Sequence, residues 1–420
     1  MKLRGRREMR LVLRLILILI CIIVILIPMS IGARRVAVIG GGISGCNFCS
    51  AFRAAVGSSS DEFEIDLYDK GRALGGRAST RRHTHHGDKY VFDHGAQYIG
   101  APKDNKNTEF RRTLDRWREK GYIEKWTCRL GSWDKATGGD SIRDLPDETR
   151  YTPTGGFTTL ATSLLREGRV STVLSDSDVS AERAGGGQWS IVSTKTRELI
   201  KGGYDHVVFT DRSTVLAHCD AFPLSFISGV RSMQQRPLLS LMIVFDEADS
   251  IRLQEAMPFE GIKFFDHPVL GWVGRDSSKE GRQRADSRSC YVLQSQYAFA
   301  EELIRSVESE LPADSSTDEV RAAVTRSSEQ PLLEAFLQVC ANTAAEHSRP
   351  IFVRGHRWGA AAAMGKQPSI APLLHCYVDL SSTGVIAVGD YLASRGAGKI
   401  EGAVESSYEA AGMLASWYKL

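Results

Sequence analysis

Arg35-Val36-Ala37-Val38-Ile39-Gly40-Gly41-Gly42-Ile43-Ser44-Gly45 is the stretch on which the fold turns. Its first half is short and apolar, as a strand buried on both faces of a parallel sheet must be. Its second half matches G-x-G-x-x-G at Gly40, Gly42 and Gly45. Working outward, residues 46 to 56 read as a helix, Gly57-Ser58-Ser59-Ser60 as a linker, and Glu64-Ile65-Asp66-Leu67-Tyr68-Asp69 as a second strand ending in a carboxylate. Strand, glycine turn, helix and strand in that order make a β-α-β unit for the adenine half of a dinucleotide. Glycines let the main chain approach a pyrophosphate, and the helix start at Ile43, Ser44 and Gly45 supplies N–H donors and a positive dipole end. Asp69 is placed to hold a ribose diol. It lies beyond the usual spacing of about 20 residues, and the serine-rich linker accounts for the excess.

The 420 residues are 42% hydrophobic and 25% charged, which excludes collagen-like, disordered and disulfide-scaffold classes. The net charge is +3, but the first 35 residues alone carry +7, so the remainder is −4 and has no basic bias toward nucleic acid. Those first residues look like a targeting or anchoring segment. A basic cluster runs into an apolar block from Leu15 to Ile27, closed by Pro28-Met29-Ser30. A cleaved signal peptide and a tight signal anchor both fit residues 1–34. Either implies the secretory pathway, secretion or endomembrane anchoring, and membrane association through this segment.

Seven cysteines beyond the leader are scattered and odd in number, which does not make a disulfide framework. Cys46 and Cys49 fall on the glycine-loop helix, where packing is expected. His83, His85, His86 and Asp88 read as a solvated loop rather than a metal site.

A second glycine pair narrows the cofactor. Asp69-Lys70-Gly71-Arg72-Ala73-Leu74-Gly75-Gly76-Arg77 resembles the D/E-K-x-x-x-x-G-G-R signature of the FAD-dependent amine oxidase superfamily. In that superfamily the glycines and the arginine lie against the flavin dinucleotide. Near the other end, Val385-Ile386-Ala387-Val388-Gly389-Asp390 reads as a buried strand, followed by Gly396, Gly398, Ile400, Glu401, Gly402 and a helix. The resemblance implies that Asp390 meets the ribityl hydroxyls and that the helix starting near Ile400 faces the flavin ring. It also implies main-chain contact from Val179 to adenine, a structural or flavin-facing role for His94, and positions beside the flavin for Gly95, Ala96 and Gln97. No cysteine follows Cys376, so the FAD is expected to be noncovalent.

Within the superfamily the chain is similar to the renalase-like branch. The stretches that carry this are Asp69 to Arg82, Phe92-Asp93-His94-Gly95-Ala96-Gln97-Tyr98, Trp272 to Arg282, His356-Arg357-Trp358 and Gly389-Asp390. The chain departs from the pattern at Gln294-Ser295-Gln296, where relatives tend to place a histidine, and at Gly359, where they often carry a larger residue. The resemblance implies oxidation of dihydro-NAD(P) isomers by hydride transfer to the flavin, with O2 as acceptor and H2O2 as product. Tyr98, Trp272, His356 and Trp358 are then the candidate substrate-facing residues. A flavin amine oxidase, a desaturase on another substrate, and a redox-inactive binding protein on the same fold stay open.

The expected architecture is α/β: a Rossmann-like FAD-binding domain from residues 35–100, 151–210 and 346–420, with an inserted α+β substrate domain from 101–150 and 211–345. Strands are expected over 238–245 and 289–294, and helices over 298–311 and 317–344.

Overall fold

The computed structural model describes residues 33–101, 108–134, 142–146, 148–341, 343–364, 375–393 and 398–418. The apolar leader and Gly396 lie outside the described residues. Among the described residues no helix is long and apolar enough to cross a membrane.

The first strand, Arg34–Ile39, sits inside a six-stranded sheet between Phe63–Tyr68 and His206–Phe209. Thr172–Leu174 extends one side, and Val385–Ala387 followed by Tyr377–Asp379 the other. All pairings are parallel except the last. Val36 to Ile39 are buried because helices cover one face and a second layer covers the other. The helix Ile43–Val56 is buried nearly all round, packed among the sheet, Phe157–Glu167 and Ile400–Tyr418. Small residues allow that crowding: a Cβ on Gly168 would stand 2.7 Å from the Cys49 Cβ. Both Cys46 and Cys49 are buried free thiols, and burial pushes Cys49 up to about 12, so packing accounts for the pair. The opposite sheet face is covered by the antiparallel strands Val179–Arg183, Trp189–Ser193 and Leu199–Tyr204.

A second, seven-stranded sheet runs in the order Phe352–Met364, Gln234–Phe245, Ser289–Ser295, Leu270–Arg275, Gly261–Phe264, Leu130–Trp133 and Arg143–Asp144. One face carries Leu239, Leu241, Ile243, Leu293 and Val273 into a core with the helices Tyr297–Glu310 and Thr317–Val339. The longer helix begins in a capping box: the Ser316 Oγ accepts from the Glu319 N–H at 3.3 Å, and the Glu319 carboxylate accepts from the Ser316 N–H at 2.7 Å. It ends at Val339, short of the expected 344, and a separate single turn follows at Ala344–His347. By the two-residue alternation of strands, Ser240, Met242, Val292, Gln294 and Trp272 face the other way, toward Tyr90, Phe92 and the segment His94 to Gln97.

Three expected boundaries shift. The strand Phe352–Met364 pairs with Gln234–Phe245, so residues 352–364 belong to the second sheet and not with the FAD-binding segments. Phe110, Leu114 and Trp117 of Thr108–Glu119 join the core of Val36 and Ile386, because that helix is apolar on the side meeting Ile400–Tyr418. Val215 and Phe226 of the two short helices after Phe209 likewise pack on the first sheet. His83 to Asp88 is no loop: Thr80–His85 and Asp88–Asp93 form a hairpin turning at His86-Gly87, with His83 against Phe352. No cluster of metal-ligating residues occurs among the described residues.

Candidate active site

The cradle forms where the first sheet's parallel strands end. Gly40 follows Ile39 with φ +112°, and a Cβ there would stand 2.0 Å from the Thr210 Oγ1, so both conformation and space demand glycine. Gly45 is equally confined, since its Cβ would meet the Gly40 carbonyl at 2.1 Å. Gly42 differs. Its φ is −71°, and an added Cβ would meet nothing nearer than the Gly75 carbonyl at 4.0 Å. No side chain caps the helix that starts at Ile43, and its first turn holds no acid. Open space before an uncapped helix N-terminus is what a pyrophosphate requires.

Asp69 is fixed by its own neighbourhood. Its Oδ2 accepts from the Gly41 N–H at 2.9 Å and its Oδ1 from the Gly71 N–H at 2.7 Å. Burial raises its carboxyl pKa, against the pull of those two N–H groups. Lys70 beside it is exposed. The Gly75-Gly76-Arg77 turn docks on the loop through Gly75 N–H to the Gly41 carbonyl at 2.8 Å. Arg77 then reaches across the fold to Asp390 in a bidentate pair of 2.9 and 2.5 Å. Asp390 follows Gly389, whose amide donates to the Ser406 Oγ at 2.9 Å near the start of the helix beginning at Ile400. Val179 opens the small antiparallel sheet and packs in the cluster of Ile39 and Tyr68. These residues fit a dinucleotide: an open cradle, an uncapped helix start, and a carboxylate held ready for a diol. Thr210 belongs with them, its Oγ1 donating to the Ile39 carbonyl at 3.0 Å.

The second half of the site is the inward face of the seven-stranded sheet. Register sets His356 opposite Ser240, Ser240 opposite Gln294, and Gln294 opposite Trp272, one row across four strands. The segment His94 to Tyr98 is fastened onto this row. The His94 carbonyl accepts from the Ser240 Oγ at 2.8 Å and from the Trp358 indole at 3.1 Å, and the Gln294 amide donates to the Gly95 carbonyl at 2.6 Å. The Trp272 indole donates to the Gln97 Oε1 at 3.1 Å. On the cradle side, Ala96 N–H donates to the Arg77 carbonyl at 3.0 Å. Gly95 admits no side chain, since a Cβ would stand 1.9 Å from that same carbonyl.

The four substrate-facing candidates divide into two groups. His356 and Trp358 pack with His94, with ring centroids 4.6 Å from His94 to His356, 4.8 Å from His94 to Trp358 and 4.4 Å between the last two. Tyr98 and Trp272 pack with Trp126 at 5.7 and 6.0 Å from the Tyr98 ring. Burial lowers His94 to about 3, helped by the neighbouring His356 and Arg81. Burial, then Arg81 and Arg321, lowers His356 to about 4. Both imidazoles are therefore neutral at pH 7.

Sequence reasoning missed what holds this turn. Asp93, Asp276, Lys279 and Arg282 form a buried, charge-balanced network at 0, 0, 2 and 5% side-chain exposure. Lys279 donates to Asp93 at 3.2 Å and to Asp276 at 2.5 Å; Arg282 donates to Asp93 at 2.6 Å and also pairs with Asp276. The Thr80 hydroxyl donates to Asp93 at 2.7 Å. Burial would raise the Asp93 carboxyl, but Lys279 and Arg282 overcome it and hold the group below the usual range. Three of the four charges lie in the stretch Trp272 to Arg282, whose charged second half was the available signal. Ser240 is likewise the only polar residue between Leu238 and Phe245.

A family model described as an NAD(P)-binding Rossmann-like domain matches residues 38–117. Among solved structures, a protein provisionally named as a protoporphyrinogen oxidase from Exiguobacterium sp. 255-15 is similar at TM-score 0.61 and 11% identity, covering 92% of this chain and 99% of that one. Putrescine oxidase bound to putrescine is similar at TM-score 0.60 and 10% identity, over 91% of this chain and 99% of that one. An oxidoreductase from Methanosarcina mazei aligns at 0.59 and 11%, over 90% and 99%. At such identities the likeness is one of fold. It defines the class: a Rossmann-like α/β protein with a second sheet-based lobe, the architecture of these oxidases along nearly their whole length.

Proposed function

We propose that the chain is an FAD-dependent oxidase that takes a hydride from dihydro-NAD(P) isomers and delivers electrons to O2, giving H2O2. One observation carries the choice of substrate. Beside the cradle the sheet face and the turn packed on it offer indoles, an amide and two neutral imidazoles, while the buried carboxylates Asp93, Asp276 and Asp390 are each committed to ion pairs. A dihydropyridine that loses hydride becomes an aromatic cation and needs no base.

When bound, the flavin supplies hydride acceptance and return of two electrons to dioxygen. Gly40 to Gly45, Asp69, Arg77 and Asp390 would hold it, noncovalently. Trp358 and His356 would form one wall for a planar ring and Trp272 and Tyr98 another, with the main chain of Gly95 and Ala96 between them. The Asp93–Lys279–Asp276–Arg282 network keeps that main chain in place, and neutral His94 and His356 neither donate nor withdraw a charge as the ring turns cationic.

The likeness to putrescine oxidase favours a second reading, oxidation of a primary amine. A peroxide assay of the FAD-loaded protein against 2- and 6-dihydro-NAD isomers and a panel of amines separates the two. Peroxide from the isomers alone supports the first; peroxide from amines alone rejects it. We further infer from the leader that the protein enters the secretory pathway, which N-terminal sequencing of protein recovered from membranes and medium tests.

A further inference from the structure

We propose that Arg81 and Arg354 form a binding site for a phosphate or pyrophosphate arm of the substrate, at the edge of the sheet face beside His356. This rests on the reading of the substrate as a dinucleotide. Arg81 lies on the strand Thr80–His85 between two residues engaged elsewhere: Thr80 bonds Asp93, and the Arg82 guanidinium donates to the Gly155 carbonyl at 2.7 Å. Arg81 itself is half-buried, its Nη2 3.4 Å from the His356 Nδ1. Arg354 precedes His356 by two residues on Phe352–Met364, hence on the same face, and is exposed.

Three other guanidiniums are matched to carboxylates: Arg77 to Asp390, Arg275 to Glu260, Arg282 to Asp93 and Asp276. Among the described residues neither Arg81 nor Arg354 pairs with a carboxylate, and Arg72, a further positive neighbour of Arg81, does not either. Burial and then the like charges of Arg72 and Arg354 push Arg81 downward, the mark of a cation without a counterion. Next to them His94 is 3% exposed, and its Nδ1 has no partner among the described residues. An anion with several acceptor oxygens would satisfy the two guanidiniums, each of which can bind phosphate through two parallel hydrogen bonds. The same field repels a dicationic diamine, so these arginines also set the sign of charge the site accepts.

The test uses the full chain loaded with FAD and reads binding by calorimetry, without turnover. Inorganic pyrophosphate and NAD+ are expected to bind, and Arg81→Ala to weaken both at least tenfold, Arg81→Lys less. Nicotinamide riboside, which lacks phosphate, is expected to bind each variant equally. Arg354→Ala, at an exposed position that does not threaten folding, is expected to show the same pattern more weakly. Unchanged pyrophosphate binding in both alanine variants overturns the site. So does release of FAD from Arg81→Ala, which would assign that arginine to the flavin's own phosphates. Pyrophosphate binding lost in the variants, together with dihydro isomers that never reduce the flavin, keeps the anion site and rejects the substrate reading. Reduction by the isomers with indifferent variants does the reverse.

Discussion

Around Gly40 to Gly45 the glycine loop itself is held mainly through its main chain and largely by nearby sequence, as when Asp69 binds the Gly41 amide 28 residues away, with Thr210 and the Arg77–Asp390 pair added from a distance. On the face that carries His356, Ser240, Gln294 and Trp272 the contacts are made by side chains, and Trp358 meets the His94 carbonyl across 264 residues. The cradle depends on the absence of side chains, the face on their mutual register. A substitution in the cradle should therefore act on the ligand, and one beneath the face on the fold.

The largest effect is expected below the turn at His94. Lys279→Met leaves two buried carboxylates with one cation, and the unfolding free energy in denaturant should fall by about 3–5 kcal/mol. Asp93 is held low in the folded state, so its share of stability is present above the unfolded value of about 3.9 and is lost as pH falls through the folded one. The wild-type protein should lose stability below about pH 4, and the variant less steeply. Equal stability of Lys279→Met would dissolve the contrast between the two regions.

Next in size is Gly42→Val. An added Cβ has space there and φ is compatible, so the apoprotein should keep most of its stability. FAD affinity, read by fluorescence, should fall at least about 100-fold, or about 3 kcal/mol. Gly45→Val would instead damage both, its Cβ driven into the Gly40 carbonyl.

A smaller effect concerns the neutral imidazoles. His356 is lowered to about 4 in the fold, so protonation favours the unfolded chain. Its contribution to stability is complete above the unfolded value of about 6.5 and declines as pH falls from there toward 4. His356→Gln should flatten stability across that window, and flavin reduction by substrate should show no histidine titration between pH 5.5 and 8. The least effect is expected at Gly359, where a Cβ meets nothing within 4 Å: Gly359→Ser should change stability by less than about 0.5 kcal/mol.

The same contrast explains what was legible beforehand. Gly40, Gly42, Gly45, Asp69 and the Gly75-Gly76-Arg77 turn announce themselves because a main-chain cradle is written in consecutive residues. Asp390 was readable from a buried strand ending in Gly-Asp, though its pairing with Arg77 was not. The row from His356 to Trp272 depends on strand pairing, and a one-residue slip would turn every one of these side chains into the opposite core. Residues 352–364 join the second sheet rather than the FAD-binding segments for that reason: nothing local distinguishes an edge strand of one sheet from a strand of the other. Asp93 is legible only as part of the turn at His94, and Asp276, Lys279 and Arg282 only as part of the stretch Trp272 to Arg282; their meeting in the interior depends on the fold.

The most direct measurement is the anaerobic visible spectrum of the FAD-loaded chain before and after addition of 2- and 6-dihydro-NAD isomers. Rapid loss of the oxidised flavin bands, restored by air with formation of peroxide, is the expected result. A protein that stays colourless with FAD, or a yellow one whose bands do not change, would contradict a flavin site joining the cradle to the sheet face for these substrates.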